Sequence, residues 1–200
     1  VFFDDRGSGG LLQGYFNWKF RVTDKIEMVT GLHAIYFLFN KSYNLEPRWA
    51  IKYKVHPRHA VSLGAGIHSR VEPISTYMSR LQIDSVTYTQ PNRNLELSKS
   101  VHLVTGYDWS FAENFRLKSE IYFQYLYNVP VANDSGSIIS ALNLSSGYTD
   151  KTFVNNGLGR NYGIELTVEK FLSKNYFFLF TASVFNSEYT MGNNVWRSTR

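Results

Sequence analysis

Leu12-Gln13-Gly14-Tyr15-Phe16-Asn17-Trp18-Lys19-Phe20-Arg21 alternates residue by residue. Leu12, Gly14, Phe16, Trp18 and Phe20 share one phase, and Gln13, Tyr15, Asn17, Lys19 and Arg21 share the other. A period of two belongs to a β-strand with one apolar and one polar face. No helix would gather these residues onto a single stripe.

The pattern recurs along the chain. Trp49, Ile51, Tyr53 and Val55 oppose Arg48, Lys52 and Lys54, and Val61, Leu63, Ala65 and Ile67 oppose Ser62, Gly64, Gly66, His68 and Arg70. Leu97, Val101, Leu103, Tyr107 and Trp109 oppose Glu96, Ser98, Ser100, His102, Gly106 and Asp108. Phe115, Leu117, Ile121, Phe123, Tyr125 and Tyr127 oppose Arg116, Lys118, Glu120, Gln124 and Asn128. Val29, Ile35 and Phe37 make the polar phase of the second segment less polar, and Phe177, Leu179 and Phe185 do the same in the last. The reading is about eight strands, near 11–21, 25–38, 47–55, 60–70, 95–109, 115–128, 161–171 and 176–189.

The connections come in two kinds that alternate. Those at 22–25, 56–59, 110–114 and 173–175 are tight, whereas those at 39–47, 71–94 and 129–160 are longer. The strands reach the about 9–11 residues that cross a bilayer when tilted, beyond the about 5–6 usual in globular proteins. Short turns at one end and long loops at the other are the habit of transmembrane barrels, and a soluble sandwich has no reason for it. Aromatics add to this. Trp18, Phe20, Tyr53, Tyr107 and Trp109 precede tight turns, and Phe115 and Tyr176 follow them, as in a girdle at a membrane interface. The fold expected is all-β: residues 1–200 form one domain, an antiparallel transmembrane β-barrel segment of up-and-down strands.

Composition agrees. Mean hydropathy is −0.26, which a membrane barrel tolerates because only alternate residues meet lipid. The net charge of +5 comes without a basic block, so nucleic acid is not an expected partner. The chain has no Cys, which excludes a disulfide framework and a thiolate metal site. With tight turns on the periplasmic side, both ends of the chain fall on the extracellular side. The expectation is therefore a segment of a larger barrel with strands on either side, because open edges in lipid would go unsatisfied. Met191–Arg200 reads as the start of another loop.

Three stretches carry a family resemblance that covers nearly the whole chain. Leu45-Glu46-Pro47-Arg48-Trp49-Ala50 resembles the "LEPR" strand start of Bacteroidetes-type TonB-dependent outer-membrane receptors. Asn94-Leu95-Glu96-Leu97-Ser98-Lys99-Ser100 is similar to their "NPNLKPEKS" segment, with Leu-Ser in place of Pro-Glu. Gly159-Arg160-Asn161-Tyr162-Gly163-Ile164-Glu165-Leu166 resembles their "G-x-x-x-G-x-E-L" strand. The resemblance implies a place in the bacterial cell outer membrane among lipid and lipopolysaccharide. It also implies uptake of a scarce nutrient, such as a ferric siderophore, haem, cobalamin or a glycan. A plug domain and a TonB-box segment, neither recognisable in these residues, would supply gating and energy.

No nucleophile, zincin or phosphate-loop motif is present, and neither an enzyme nor a cofactor is expected. His56 and His59 flank Pro57 in what reads as a solvated turn. His33, His68 and His102 share the polar phase of different strands, and a metal site is not expected there. The polar-phase charges, among them Lys19, Glu27, Lys52, Arg116, Lys118, Glu120 and Glu169, read as mutual pairs. Arg70, Tyr77, Arg80, Arg93 and Arg160, at the long-loop end, are the candidate ligand contacts, suited to an anionic small molecule. Tyr88, Asn133, Asp134, Tyr148 and Lys151 extend that polar loop surface. A passive porin or structural outer-membrane barrel, and a soluble carbohydrate-binding β-protein, are the alternative readings.

Overall fold

Short turns close the hairpins with the chemistry their positions require. Lys174 and Asn175 both take positive φ, 52° and 66°, as a two-residue hairpin turn needs. The Thr23 hydroxyl accepts from the Ile26 N–H at 3.1 Å and closes the first turn. The computed structural model describes residues 9–134, 136–144, 149–193 and 195–199; Tyr148 lies outside them. Eight long strands follow one another: β1 (Leu11–Arg21), β2 (Ile26–Phe37), β3 (Ser42–His56), β4 (His59–Arg70), β7 (Ser98–Ala112), β8 (Phe115–Ala132), β9 (Phe153–Ser173) and β10 (Tyr176–Thr190). Between β4 and β7 lie α1 (Ile74–Met78) and a small hairpin of β5 (Leu81–Gln82) and β6 (Tyr88–Thr89). A ninth sheet member, β11 (Arg197–Ser198), pairs with β10. The main sheet runs in chain order, every neighbour antiparallel.

Residues directly opposite in such a ladder project to the same face. One register row reads Phe20, Met28, Ile51, Leu63, Thr105, Ile121, Ile164, Val184 across all eight long strands. Another reads Asn17, Gly31, Arg48, Gly66, His102, Gln124, Asn161, Ser187. The apolar and polar phases read from the sequence are therefore two continuous faces. From Val101 to Trp109 in β7 each apolar-phase residue is exposed and each polar-phase one is at least partly covered. Polar side chains crowd together while apolar ones splay, so the sheet curves with its polar face inside. Trp18, Leu63, Leu103, Ile121, Leu166 and Phe180 are exposed, with nothing packed over them. Ile51 is half-buried, between Met28 and Leu63 in its row.

Four expected boundaries differ. The strand expected near 95–109 runs Ser98–Ala112, so Leu97, read in its apolar phase, lies before the ladder and is buried. β3 begins at Ser42, not near 47, so the link from β2 is a turn with Lys41 at φ 64° and the Asn40 amide oxygen on the Ser42 N–H (3.1 Å). Asn44 and Pro47 disguised this stretch as loop. β8 and β9 continue into the expected 129–160 loop through a bulge at Asn128 (φ 61°), pairing as far as Ala132 with Phe153. Gly157 permits it: a Cβ there would lie 2.3 Å from Val131 Cγ1 and 2.8 Å from the Val129 carbonyl oxygen. Within Met191–Arg200, expected to be loop, β11 adds a short paired segment. The contrast in loop length thus rests on two connections, 71–97 and 133–152.

The ladder has one seam. β3 pairs with β2 as far as Ser42, but with β4 only as far as Arg48 opposite Gly66. The Lys54 N–H donates to the Lys25 carbonyl at the β2 side (2.8 Å), so alternation sends Pro47's backbone toward β4. Proline has no N–H to give, and the ladder stops there. The next β4 donor facing the seam, Ser69 N–H, goes instead to Glu46 Oε1 at 2.8 Å, and the Ser69 hydroxyl donates to the same oxygen at 2.5 Å. Oε2 of Glu46 accepts from Arg48 (2.7 Å) and His33 (2.9 Å). A carboxylate 1% exposed thus replaces the missing main-chain bonds.

Removing it should show. Glu46→Ala leaves the Ser69 N–H without an acceptor, a cost of about 1–3 kcal/mol. The expected outcome is a lower midpoint for heat-induced loss of the compact gel form, with little further loss when Ser69→Ala is added. Additive losses would mean that the two residues act apart.

Candidate functional site

The polar face is a paired face. Lys19 meets Glu27 at 2.9 Å, and Lys52 meets Asp108 at 3.0 Å. Arg116 Nε donates to Asp108 at 2.7 Å and its guanidinium reaches Glu169 at 3.8 Å, while Lys118 pairs with Glu120. Gly31 and Gly66 flank Arg48 in its row: a Cβ at Gly66 would lie 3.1 Å from Arg48 Cγ, and one at Gly31 would run into the Asn17 side chain. The rings of His68 and His102 approach to 4.4 Å, and His102 Nε2 accepts from the Gln124 amide at 2.7 Å. His33 is engaged with Glu46. The three histidines are thus held by neighbours, and among the described residues no group of His, Asp and Glu is arranged to hold a metal.

Two long loops build a cap at one end of this face. Its core joins Ile35 and Phe37 of β2 to Tyr77 of α1, and to Leu95, Leu97, Ala132 and Phe153. Two of the three apolar residues that blurred the polar phase of β2, Ile35 and Phe37, are therefore the floor of the cap. The Tyr77 ring lies tilted 5.1 Å from Phe37 and edge-on 6.1 Å from Phe39, and burial pushes its phenol up to about 12. Side-chain amides knit the loops together, because one amide both donates and accepts as a peptide does. Fully buried Asn92 donates to the Lys151 carbonyl (2.9 Å) and to Ser79 Oγ (3.0 Å), and accepts from the Phe153 N–H (2.8 Å). Asn40 donates to the Leu95 carbonyl at 2.6 Å. Lys151 pairs with Asp134 at 2.6 Å, and that hydrogen bond holds its ammonium above the ordinary lysine range.

The five expected ligand contacts do not share one surface. Tyr77 is wholly buried, so it packs the cap and presents nothing to a ligand. Arg70 projects from the end of β4 beside a cleft of about 370 Å³ lined also by Glu72, Thr76 and Leu144. It is half-committed already, with both oxygens of buried Glu72 within 3.2 Å of its Nη2. Arg93 is exposed and lies 4.7 Å above the Phe39 ring. Arg80 is exposed on the same loop. Arg160 belongs to the apolar phase, opposite Tyr125, where Glu188 (2.6 Å) and the Trp196 ring (4.3 Å) hold it.

The expected aromatic positions converge at the opposite, tight-turn end. Trp18 and Phe20 lie 4.9 Å apart. Tyr107 OH meets His59 Nδ1 at 2.7 Å, and the His59 ring stacks on Trp109 at 5.9 Å. Contacts continue from Trp109 to Phe111, from Phe111 to Phe115 and from Phe115 to Phe178. Tyr53 and Tyr176 are exposed in the same apolar phase. Lys170 sits in this band, 3.7 Å from the Tyr176 centroid, with its ammonium donating to the Ser173 and Tyr176 carbonyls at 3.0 Å. It is a cation threaded through an aromatic belt to reach turn carbonyls. Lys170, Glu46, Glu72 and Asn92 were not among the sequence candidates. Only Glu46 carried a signal, a carboxylate next to Pro47 at an expected strand start.

Solved structures share this architecture. The siderophore receptor PirA from Pseudomonas aeruginosa matches 90% of the chain at a TM-score of 0.62 and 13% identity. The FrpB iron transporter from Neisseria meningitidis matches at 0.56 and 17%, and the RagAB peptide importer at 0.64 and 10%, each again over 90% of the chain. The chain spans 37%, 25% and 22% of those chains respectively. At such identities the likeness is one of fold: an up-and-down antiparallel barrel wall. No family model and no curated protein matches the chain.

Tyr77 separates packing from recognition. Tyr77→Ala removes the centre of the cap core, a loss of about 3–5 kcal/mol for a buried aromatic. It should open loop 71–97 to limited proteolysis while the heat-resistant gel form of the barrel persists. An unchanged cleavage pattern would contradict the packing role.

Proposed function

We propose that this chain is part of the wall of a TonB-dependent outer-membrane transporter that takes up a scarce nutrient. The observation that carries the proposal is the outer face: an apolar row crosses eight long strands, and among the described residues none packs over it. In water such a face would be a large aggregation hazard, whereas in a bilayer it is the ordinary contact with lipid. The aromatic band at the tight-turn end then marks the periplasmic interface, and the cap is extracellular. Lipid and lipopolysaccharide are the surroundings on the outer side. On the inner side, the polar rows face water and a plug domain carried elsewhere in the protein. The solved structures of similar fold include a siderophore receptor, an iron transporter and a peptide importer, which supports import as the activity and leaves the ligand class open.

Recognition belongs to the cap in this reading, because long loops on a rigid wall are where binding groups collect. Arg70, Arg80 and Arg93 are the contacts proposed for an anionic ligand, and Arg160 is a wall residue at the outer rim. Alanine at the first three together should lower whole-cell uptake of the ligand by the full-length protein, with Arg160→Ala near wild type. The opposite ranking would move recognition out of the cap.

Topology and lipid contact have their own tests, and the lack of native cysteine makes the first clean. With single substitutions in the full-length protein, a membrane-impermeant maleimide on whole cells should label Val86→Cys and leave Arg58→Cys and Lys174→Cys unlabelled; the reverse would invert the barrel. Ser135, which the sequence reading also expects to label, lies outside the described residues. Ile121→Lys, on the outer row, should cost about 2–4 kcal/mol in the bilayer and impair assembly. Thr181→Lys, in the polar phase, should be tolerated. Equal tolerance would contradict the face assignment.

A further inference from the structure

The seam at Pro47 leaves more than a missing hydrogen bond. Above it, Ser42–Pro47 of β3 has no ladder partner on the β4 side, and Ile67–Arg70 of β4 pairs only with β7. The gap is closed below by Glu46 on Ser69 and above by Asn40 on the Leu95 carbonyl. Between these two staples is a slot of about 590 Å³, with Lys41, Tyr43 and Leu45 on one side and Glu96 and Lys99 on the other. Lys41 and Lys99 make no ion pair with an acidic group among the described residues, whereas Glu96 already accepts from the Asn128 amide at 2.7 Å. Asn44 also borders the slot, but it stands opposite Ile35, so its side chain belongs to the inner, cap-side face.

An apolar groove of about 320 Å³ adjoins the slot and shares Tyr43, Asn44 and Leu45 with it. It exists because the row Gly14, Ala34, Leu45 is small at its first two positions. Leu12, Tyr36 and Tyr43 form the next row above it. A Cβ at Gly14 would meet nothing within 4 Å. A cationic slot that opens into an apolar groove on the outer face has the charge and shape of one kind of occupant.

We propose that the slot and groove together seat one lipid with a net anionic phosphate headgroup. Lys41 and Lys99 hold the phosphate, the free β3 edge lies beside the headgroup, and an acyl chain lies over Gly14 and Ala34. The site rests on the reading of the outer face as lipid-facing. Phosphate recognition by two otherwise unpaired ammonium groups is a charge-assisted contact. An acyl chain gains by burial along Leu12, Tyr36 and Leu45.

The test is native mass spectrometry of the full-length protein in a neutral detergent, with phosphatidic acid or phosphatidylcholine of matched chains. Wild type should retain one phosphatidic acid in clear preference to phosphatidylcholine. Lys41→Gln with Lys99→Gln should lower that retention several-fold, Lys41→Arg with Lys99→Arg should restore it, and Gly14→Leu should lower it by filling the groove. All variants should keep the heat-modifiable gel form, which shows that the wall is intact. Equal retention of the two lipids, or retention indifferent to the lysine and Gly14 variants, would overturn the proposal. Complete displacement by inorganic phosphate at the lipid's concentration would also overturn it, leaving an anion site without a chain. A wild type with no heat-modifiable form would instead overturn the membrane reading itself, and the lipid site with it.

Discussion

The antiparallel ladder from β1 to β10 is the constraint on which the rest depends. Each strand satisfies its neighbour's N–H and C=O groups, and direct opposition sends the side chains of a row to one face. A sequence that alternates strand by strand is thereby sorted into two sheet-wide surfaces with no further instruction. The row from Phe20 to Val184 and the row from Asn17 to Ser187 are products of the same register. A one-residue slip in any hairpin would exchange them locally, and Lys52 or Glu120 would then stand among Leu63 and Ile164. The two-residue turn at Lys174 and Asn175 and the hydroxyl-closed turn at Thr23 guard against that slip.

Where the ladder fails, side chains take over its work. Pro47 withdraws one donor, and the Glu46 carboxylate supplies acceptors to Ser69 in the gap. Asn128 interrupts β8, and the amides of Asn128 and Asn155 then bridge to the carbonyls of Leu97, Glu96 and Asn128 itself. Asn92 does the same between the two long loops. Asparagine is frequent at this end because its amide imitates a peptide group without a strand to carry it. The opposite end needs less repair, since its turns are short, and beside the register shift at Tyr176 and Phe178 the Lys170 ammonium caps carbonyls directly.

These two ends explain what could be read from the sequence. Leu12–Arg21 and Phe115–Tyr127 declare their faces because nothing interrupts the period of two, and the aromatic band follows from the same phase. Ser42–Pro47 was hidden by Asn44 and Pro47, both usually loop residues, although β2 alone suffices to hold the segment extended. Gly157 and Asn128 hid the upper parts of β8 and β9 for the same reason. The cap has no period at all. Tyr77, Leu95 and Leu97 come together only through the path of the chain, so Tyr77 looked like a loop aromatic available to a ligand. Arg160 was misplaced more simply: its strand starts earlier than expected, and its phase points outward.

The central claim is that one face of this sheet meets hydrocarbon and the other does not. Nitroxide labels placed singly from residue 101 to 109 of β7, in the full-length protein reconstituted into bilayers, measure this directly. Collision with dissolved oxygen should peak at 101, 103, 105, 107 and 109, and collision with a water-soluble nickel chelate should be lowest at those positions, with a period of two throughout. High nickel accessibility at Leu103 and Tyr107, or no alternation between the two reagents, would contradict the account.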